Sequence, residues 1–163
     1  MAYINVATSG QFATLDINGS ADFTSNVANA FVAGQAANVV TVPGLQDITV
    51  NATPGLFRWK QLDSLSEYVV TTPSTNSLSM TIVLDPTTFF TGEGNTAGLF
   101  SLVNNKTLTS FRLYWQGTTT GDRYIEGVGY LSGLAATVNP DSPVWTSPIT
   151  IEVVGDYSTG TVA

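Results

Sequence analysis

Leu108-Thr109-Ser110-Phe111-Arg112-Leu113-Tyr114-Trp115 alternates residue by residue, with Thr109, Phe111, Leu113 and Trp115 on one face and Ser110, Arg112 and Tyr114 on the other. Successive side chains of a strand point to opposite faces, so this pattern predicts a half-buried β-strand with Trp115 on the core side. Gln116 to Asp122 is polar and holds Gly117 and Gly121, which let the chain reverse without bulky side chains at left-handed angles. Arg123-Tyr124-Ile125-Glu126-Gly127-Val128-Gly129-Tyr130-Leu131 reads as the return strand. Gly127 and Gly129 lie two apart on one face of it, a spacing that predicts a bend, a bulge or another backbone close by. The stretch is one complete hairpin.

Working outward, the remainder reads as mainly β. Leu78, Met80, Ile82 and Leu84 alternate with Ser79, Thr81 and Val83 in the cleanest strand pattern, and Ile149, Ile151 and Val153 alternate with Thr150 and Glu152 as a last strand. Gln11 to Ile17 is a candidate first strand with a turn at Asn18-Gly19-Ser20, and Ser25–Val40 is open between helix and coil. Val39 to Val42 and Leu45 to Ala52 are short apolar runs, ended by Pro43-Gly44 and by Thr53-Pro54-Gly55. Residues 56–84 then read as a strand, a long excursion with turn formers at Thr72-Pro73-Ser74-Thr75-Asn76, and a return strand. Pro86 opens a helical turn before Gly92, and Asn95 or Thr96 is placed to cap one short helix whose buried face is Leu99, Phe100, Leu102 and Val103. Leu134 to Val138 is weakly strand-like, and residues 158–163 form a small-residue tail expected to be flexible.

The whole chain, 1–163, suits a single domain, with residues 1–40 the part least assigned. Cysteine and histidine are absent, which removes disulfides, thiolate chemistry and two common catalytic groups. Only 10% of the residues are charged, with 12 acids against 5 bases and a net charge of −7, so the surface is built largely from Thr, Ser, Asn, Gly and apolar atoms. Sparse charge of this kind is explained if copies of the chain cover one another, or by a Thr/Ser-rich β-domain that stays alone. The acidic balance opposes a sequence-independent grip on phosphates, and it does not argue against DNA sliding past without specific binding. No secretory pattern opens the chain, and its most apolar stretch, Val27 to Val42, is interrupted by Asn29, Gly34, Gln35 and Asn38, which excludes a membrane span there.

Catalytic patterns are not found. No G-x-S-x-G turn presents a serine, Gly92-Glu93-Gly94 misses the spacing of a phosphate loop, and no run of alternate acids suits calcium. Glu126 and Glu152 fall on strands expected to be neighbours, as paired glycosidase acids would, yet such pairs are far more often solvent-facing. No catalytic residue, cofactor or metal ligand is assigned. Phe57 to Tyr68 is the most decorated segment, with Arg58, Trp59, Lys60, Asp63, Ser64, Glu67 and Tyr68, and its charges suit contacts between subunits. Arg123, Glu126 and Glu152 are candidate charges at an inter-subunit sheet edge. Trp59 is the one aromatic left as a candidate platform for sugar rings.

The order of features from about Val42 to Tyr157 resembles the tail tube proteins of long-tailed bacteriophages. The matching parts are a strand, a long loop with Gln61-Leu62-Asp63-Ser64 and Tyr68, the strand Leu78 to Leu84, a short helix over Asn95 to Val103, paired strands over Phe111 to Val128, and Ile149-Thr150-Ile151-Glu152-Val153-Val154-Gly155. The resemblance covers about two-thirds of the chain, and the order of motifs carries it. It implies a β-sandwich or rolled barrel with one short flanking helix, hexameric rings that stack into a hollow virion tube, and a long loop that reaches the adjacent ring at Arg58, Trp59, Lys60, Asp63, Ser64, Glu67 and Tyr68. It also implies tape measure and tube-end proteins as partners, and synthesis in the bacterial host cytoplasm. Two further classes fit the composition: a phage fibre or decoration β-domain, and a carbohydrate-binding module.

Overall fold

The computed structural model describes residues 13–19, 27–42, 44–62, 66–92, 96–115, 117–138, 140–141 and 144–163. Gln11, Ser20, Ser25, Pro43, Asp63, Ser64, Glu93, Gly94, Asn95 and Gln116, named above, lie outside the described residues. The strands are β1 (Thr14–Asn18), β2 (Val39–Thr41), β3 (Leu45–Lys60), β4 (Glu67–Val83), β5 (Leu108–Tyr114), β6 (Arg123–Ser132), β7 (Thr146–Val153) and β8 (Ser158–Thr161). Among the described residues one α-helix, α1 (Leu99–Asn104), follows a π-turn at Thr87–Thr91. The undecided Ser25–Val40 region contains two 3-10 turns, Val27–Phe31 and Ala33–Asn38.

Among the described residues all eight strands belong to one antiparallel sheet of order β2-β1-β5-β6-β7-β4-β3, with β8 also on β6. Leu15 and Ile17 of β1, Phe111 and Leu113 of β5, Ile149 and Ile151 of β7, and Leu78, Met80 and Ile82 of β4 share one core cluster. A sheet whose distant strands meet in one core must curl, which its right-handed twist permits. Leu99 and Leu102 of α1 join the same core. The result is the mainly β, rolled architecture with one short α-helix.

The central hairpin pairs Phe111 with Gly127 and Thr109 with Gly129. The two glycines do different work: a Cβ on Gly127 would stand 2.9 Å from the Phe111 ring, and one on Gly129 would stand 2.5 Å from the Glu152 carbonyl oxygen of β7. The bare face is therefore occupied, once by an aromatic ring and once by a neighbouring backbone.

Six expectations about the fold are corrected. β5 is buried on both faces, because Val27–Phe31 covers its second face. Trp115 lies one residue past the strand and is exposed, outside the core. α1 begins at Leu99, and Phe100 is exposed against Phe89 and Phe90. The tail expected to be flexible supplies β8, since β7 pairs β6 only at residues 129–132 and leaves the same edge of β6 open at 123–126. Leu134 to Val138 contributes only the isolated bridge of Thr137 to Thr146.

The largest correction concerns residues 45–83. Thr53-Pro54-Gly55 does not end a strand and Thr72 to Asn76 is not a loop tip; both lie inside one long antiparallel pair that runs on to Lys60 opposite Glu67. Pro54 and Pro73 are tolerated because they sit at a bulge, between the Thr53–Thr75 and Gly55–Thr72 pairs, where ladder hydrogen bonds are missing.

A candidate assembly surface

β4 pairs with β7 only from Asn76 to Val83, so from Thr72 to Glu67 the β3–β4 hairpin continues as a two-stranded ribbon with no third strand beside it among the described residues. A lone two-stranded ribbon is marginal in water. Residues directly opposite on an antiparallel pair share a face. The register Phe57↔Val70 and Trp59↔Tyr68 therefore puts three aromatics and a valine on one face, with Phe57 stacked on Trp59 at 6.0 Å and Trp59 on Tyr68 at 5.4 Å. The register Leu56↔Thr71, Arg58↔Val69 and Lys60↔Glu67 forms the other face, where Arg58 lies 3.6 Å from Glu67.

Both faces are open. Phe57 is 59% exposed, Val70 47%, Leu56 49% and Val69 49%, values far above those of core residues of the same kinds. β-branched and aromatic residues in unbroken runs such as Tyr68-Val69-Val70 are normal where a strand is covered on both sides. Here no part of the subunit among the described residues covers them.

The root of the ribbon is held firmly. Asn76, itself buried, donates from Nδ2 to the Gly155 carbonyl at 2.8 Å, and Ser74 Oγ donates to Asp156. The single hydroxyl hydrogen of Tyr157 is shared by the carbonyls of Asn51 at 2.9 Å and Ser77 at 2.8 Å, one on each strand. Burial pushes the Tyr157 phenol above its ordinary pKa, which keeps it a donor. A Cβ on Gly55 would stand 2.1 Å from Thr72 Oγ1, so at the bulge the two strands approach more closely than any other residue allows. The segment after β7 thus fixes the base of the ribbon.

Of the predicted contact residues, Arg58, Trp59, Lys60, Glu67 and Tyr68 come together on this ribbon. Arg123, Glu126 and Glu152 do not form one group and lie on the interior strands β6 and β7. Arg123 is exposed opposite Thr161, and Glu152 is exposed opposite Tyr130 and Ser77. Glu126 is only 5% exposed and accepts from Arg112 Nε at 3.0 Å and Nη2 at 2.7 Å. The Arg112 guanidinium is also held between the rings of Phe31 at 4.7 Å and Tyr124 at 4.1 Å. Across from it Asp16 accepts from Thr41 at 2.6 Å, and burial raises the Asp16 pKa, opposed by Thr41 and by Arg112. This is a structural network that fastens the 27–31 segment to the sheet. Sequence reading passed over Leu56, Phe57, Val69 and Val70, although the unbroken apolar pairs Leu56-Phe57 and Val69-Val70 are visible in the chain.

No family model matches the chain, and no curated protein matches it in sequence. Solved structures do match in shape. The SPP1 tail tube, determined by solid-state NMR and cryo-electron microscopy, superposes with a TM-score of 0.62 at 9% identity, covering 93% of this chain and 78% of that one. The tail of an empty gene transfer agent particle, refined with C6 symmetry, gives 0.58 at 9% identity over 77% of this chain and 89% of that one. The virion of the native gene transfer agent gives 0.56 at 11% identity over 76% and 89%. The fold is therefore that of phage tail-tube proteins. In this chain it carries a 45–83 hairpin whose outer half, among the described residues, exposes apolar side chains on both faces.

Proposed function

We propose that the chain is the structural subunit of a phage tail tube, assembling into hexameric rings that stack into a hollow conduit in the virion tail. The observation that carries this reading is the free ribbon: a two-stranded extension with exposed apolar side chains on both faces is complete only when other molecules cover it. The tail-tube fold and the sparsely charged surface support copies of the chain as that cover. Among the described strands β3 is the last of the sheet, with an outer edge that suits sheet continuation between copies.

A subunit with net charge −7 gives a wall that repels a passing phosphate backbone, so DNA travels through without adhering. The role is architectural and not catalytic. The subunit is made in the bacterial host cytoplasm, and its partners are other copies of itself, a tape measure protein within the tube and tube-end proteins. Electron microscopy of the purified full chain tests the reading. Rings or filaments with a central hole are expected; a compact monomer with no annulus at any concentration or ionic strength would overturn it.

A further inference from the structure

At the far side of the molecule from the ribbon, three charges stand in a row across the sheet: Asp16 of β1 lies opposite Arg112 of β5, which lies opposite Glu126 of β6. Two acids therefore share one base. That base is committed, because Arg112 donates from both Nε and Nη2 to Glu126 Oε2. Asp16 forms no ion pair of its own among the described residues. Its Oδ1 accepts from Thr41 at 2.6 Å, and its Oδ2 accepts no hydrogen bond from the described residues. A partly buried carboxylate in this state is one cation short. Burial raises the Asp16 pKa with only Thr41 and Arg112 opposing it, which is the same shortage met by the proton.

The carboxylate opens onto space. Asp16 lines a pocket of about 300 Å³ between the 31–36 segment and strands β1 and β2. Phe31, Val32, Ala33, Ala36 and Val39 give it apolar walls, and among the described residues Asp16 is its one charged lining group. We infer that this pocket binds a primary alkylammonium group, with the cation on Asp16 Oδ2 and the alkyl stem along the apolar walls. The geometry selects this class over other cations. A guanidinium docks on a carboxylate through two parallel bonds, and Thr41 already holds one of the two oxygens. Calcium or magnesium needs several oxygen ligands, whereas the pocket offers a single free carboxylate oxygen. An ammonium is a compact point charge on a flexible stem, and such a stem lies along apolar surface while its head meets one acceptor. A free alkylamine and the lysine side chain of a protein share this chemistry. The site belongs to the folded subunit and does not depend on the tube reading.

Ligand-observed saturation-transfer NMR on the unassembled full chain tests this, at a mildly alkaline pH where a carboxyl is ionised and a primary amine protonated. n-Butylammonium, which has the stem and charge of a lysine side chain, is expected to bind saturably. n-Butanol keeps the stem and methylammonium keeps the charge, and each is expected to bind at least about tenfold more weakly. Asp16→Asn should weaken n-butylammonium by a similar factor, and so should Ala36→Leu, which narrows the pocket without altering Asp16. Circular dichroism checks that both variants fold, and either one alone suffices for the comparison. Nα-acetyl-lysine N-methylamide separates the two sources: binding as tight as that of n-butylammonium admits a lysine of another protein, while its failure restricts the pocket to free amines. No saturable binding of n-butylammonium, equal binding of n-butanol, or binding unchanged in folded Asp16→Asn or Ala36→Leu overturns the site. None of these results bears on the tube reading, which electron microscopy decides.

Discussion

Replacing Arg112 with methionine removes the cation from an ion pair whose side chains are only 11% and 7% exposed and whose shortest contact is 2.7 Å. The variant leaves Glu126 with an unpaired, nearly buried carboxylate and takes from Asp16 the cation that lowers its pKa. Breaking a buried pair by removing one partner costs about 3–5 kcal/mol, because the surviving charge is desolvated without compensation. For a chain of this length each kcal/mol moves the melting temperature by about 2–4 °C, so the expected loss is roughly 6–20 °C. The methionine stem still fills the space between Phe31 and Tyr124, so loss of packing contributes little. Thermal unfolding of the unassembled subunit, followed by circular dichroism, measures the drop. The companion double variant, Arg112→Met with Glu126→Leu, removes both charges and is expected to melt above either single variant, since an apolar pair of similar volume replaces a buried ion pair at little net cost. A loss below about 2 °C in Arg112→Met, or losses that simply add in the double variant, would refute the account of this network.

Other outcomes follow from the same geometry. Trp59→Ala is expected to change subunit stability by less than about 1 kcal/mol, because the side chain is 37% exposed, while abolishing filaments in electron micrographs; normal tubes from this variant would count against the ribbon as the assembly surface. Gly129→Ala drives a Cβ to 2.5 Å from the Glu152 carbonyl oxygen and should cost about 1–3 kcal/mol, a melting loss of roughly 2–12 °C; an unchanged melting temperature would show that β6 and β7 separate easily. Tyr157→Phe leaves the Asn51 and Ser77 carbonyls without their donor and should cost about 1 kcal/mol, with faster amide exchange at the ribbon root as the local readout. Asp16 gives a pH dependence. Its folded pKa is raised above the ordinary 3.8, so the folded state keeps the proton after the unfolded chain has released it, and stability is lost as pH rises through the folded value. Asp16→Asn holds the neutral form, so its stability relative to the parent chain should grow with pH above 3.8 and then level off; a flat or shrinking difference would contradict the burial of this carboxyl.

Local periodicity was enough to read the Leu108–Leu131 hairpin, the core faces of β4 and β7 and the approximate place of the helix, because alternation records which side of a strand faces apolar surroundings. The lack of catalytic patterns and the low charge were likewise matters of composition. Local signals misled where tertiary contact overrides them. Pro54 and Pro73 look like strand ends in isolation, but a bulge absorbs both and lets β3 and β4 run on as one ribbon. Residues 158–163 look loose by composition, but the unfilled edge of β6 gives Ser158–Thr161 a place to pair. Glu126 looks like a surface charge until β5 brings Arg112 against it across the sheet. Burial, pairing partners and the two-sided exposure of the ribbon depend on residues far apart in the chain, so only the folded arrangement decided them.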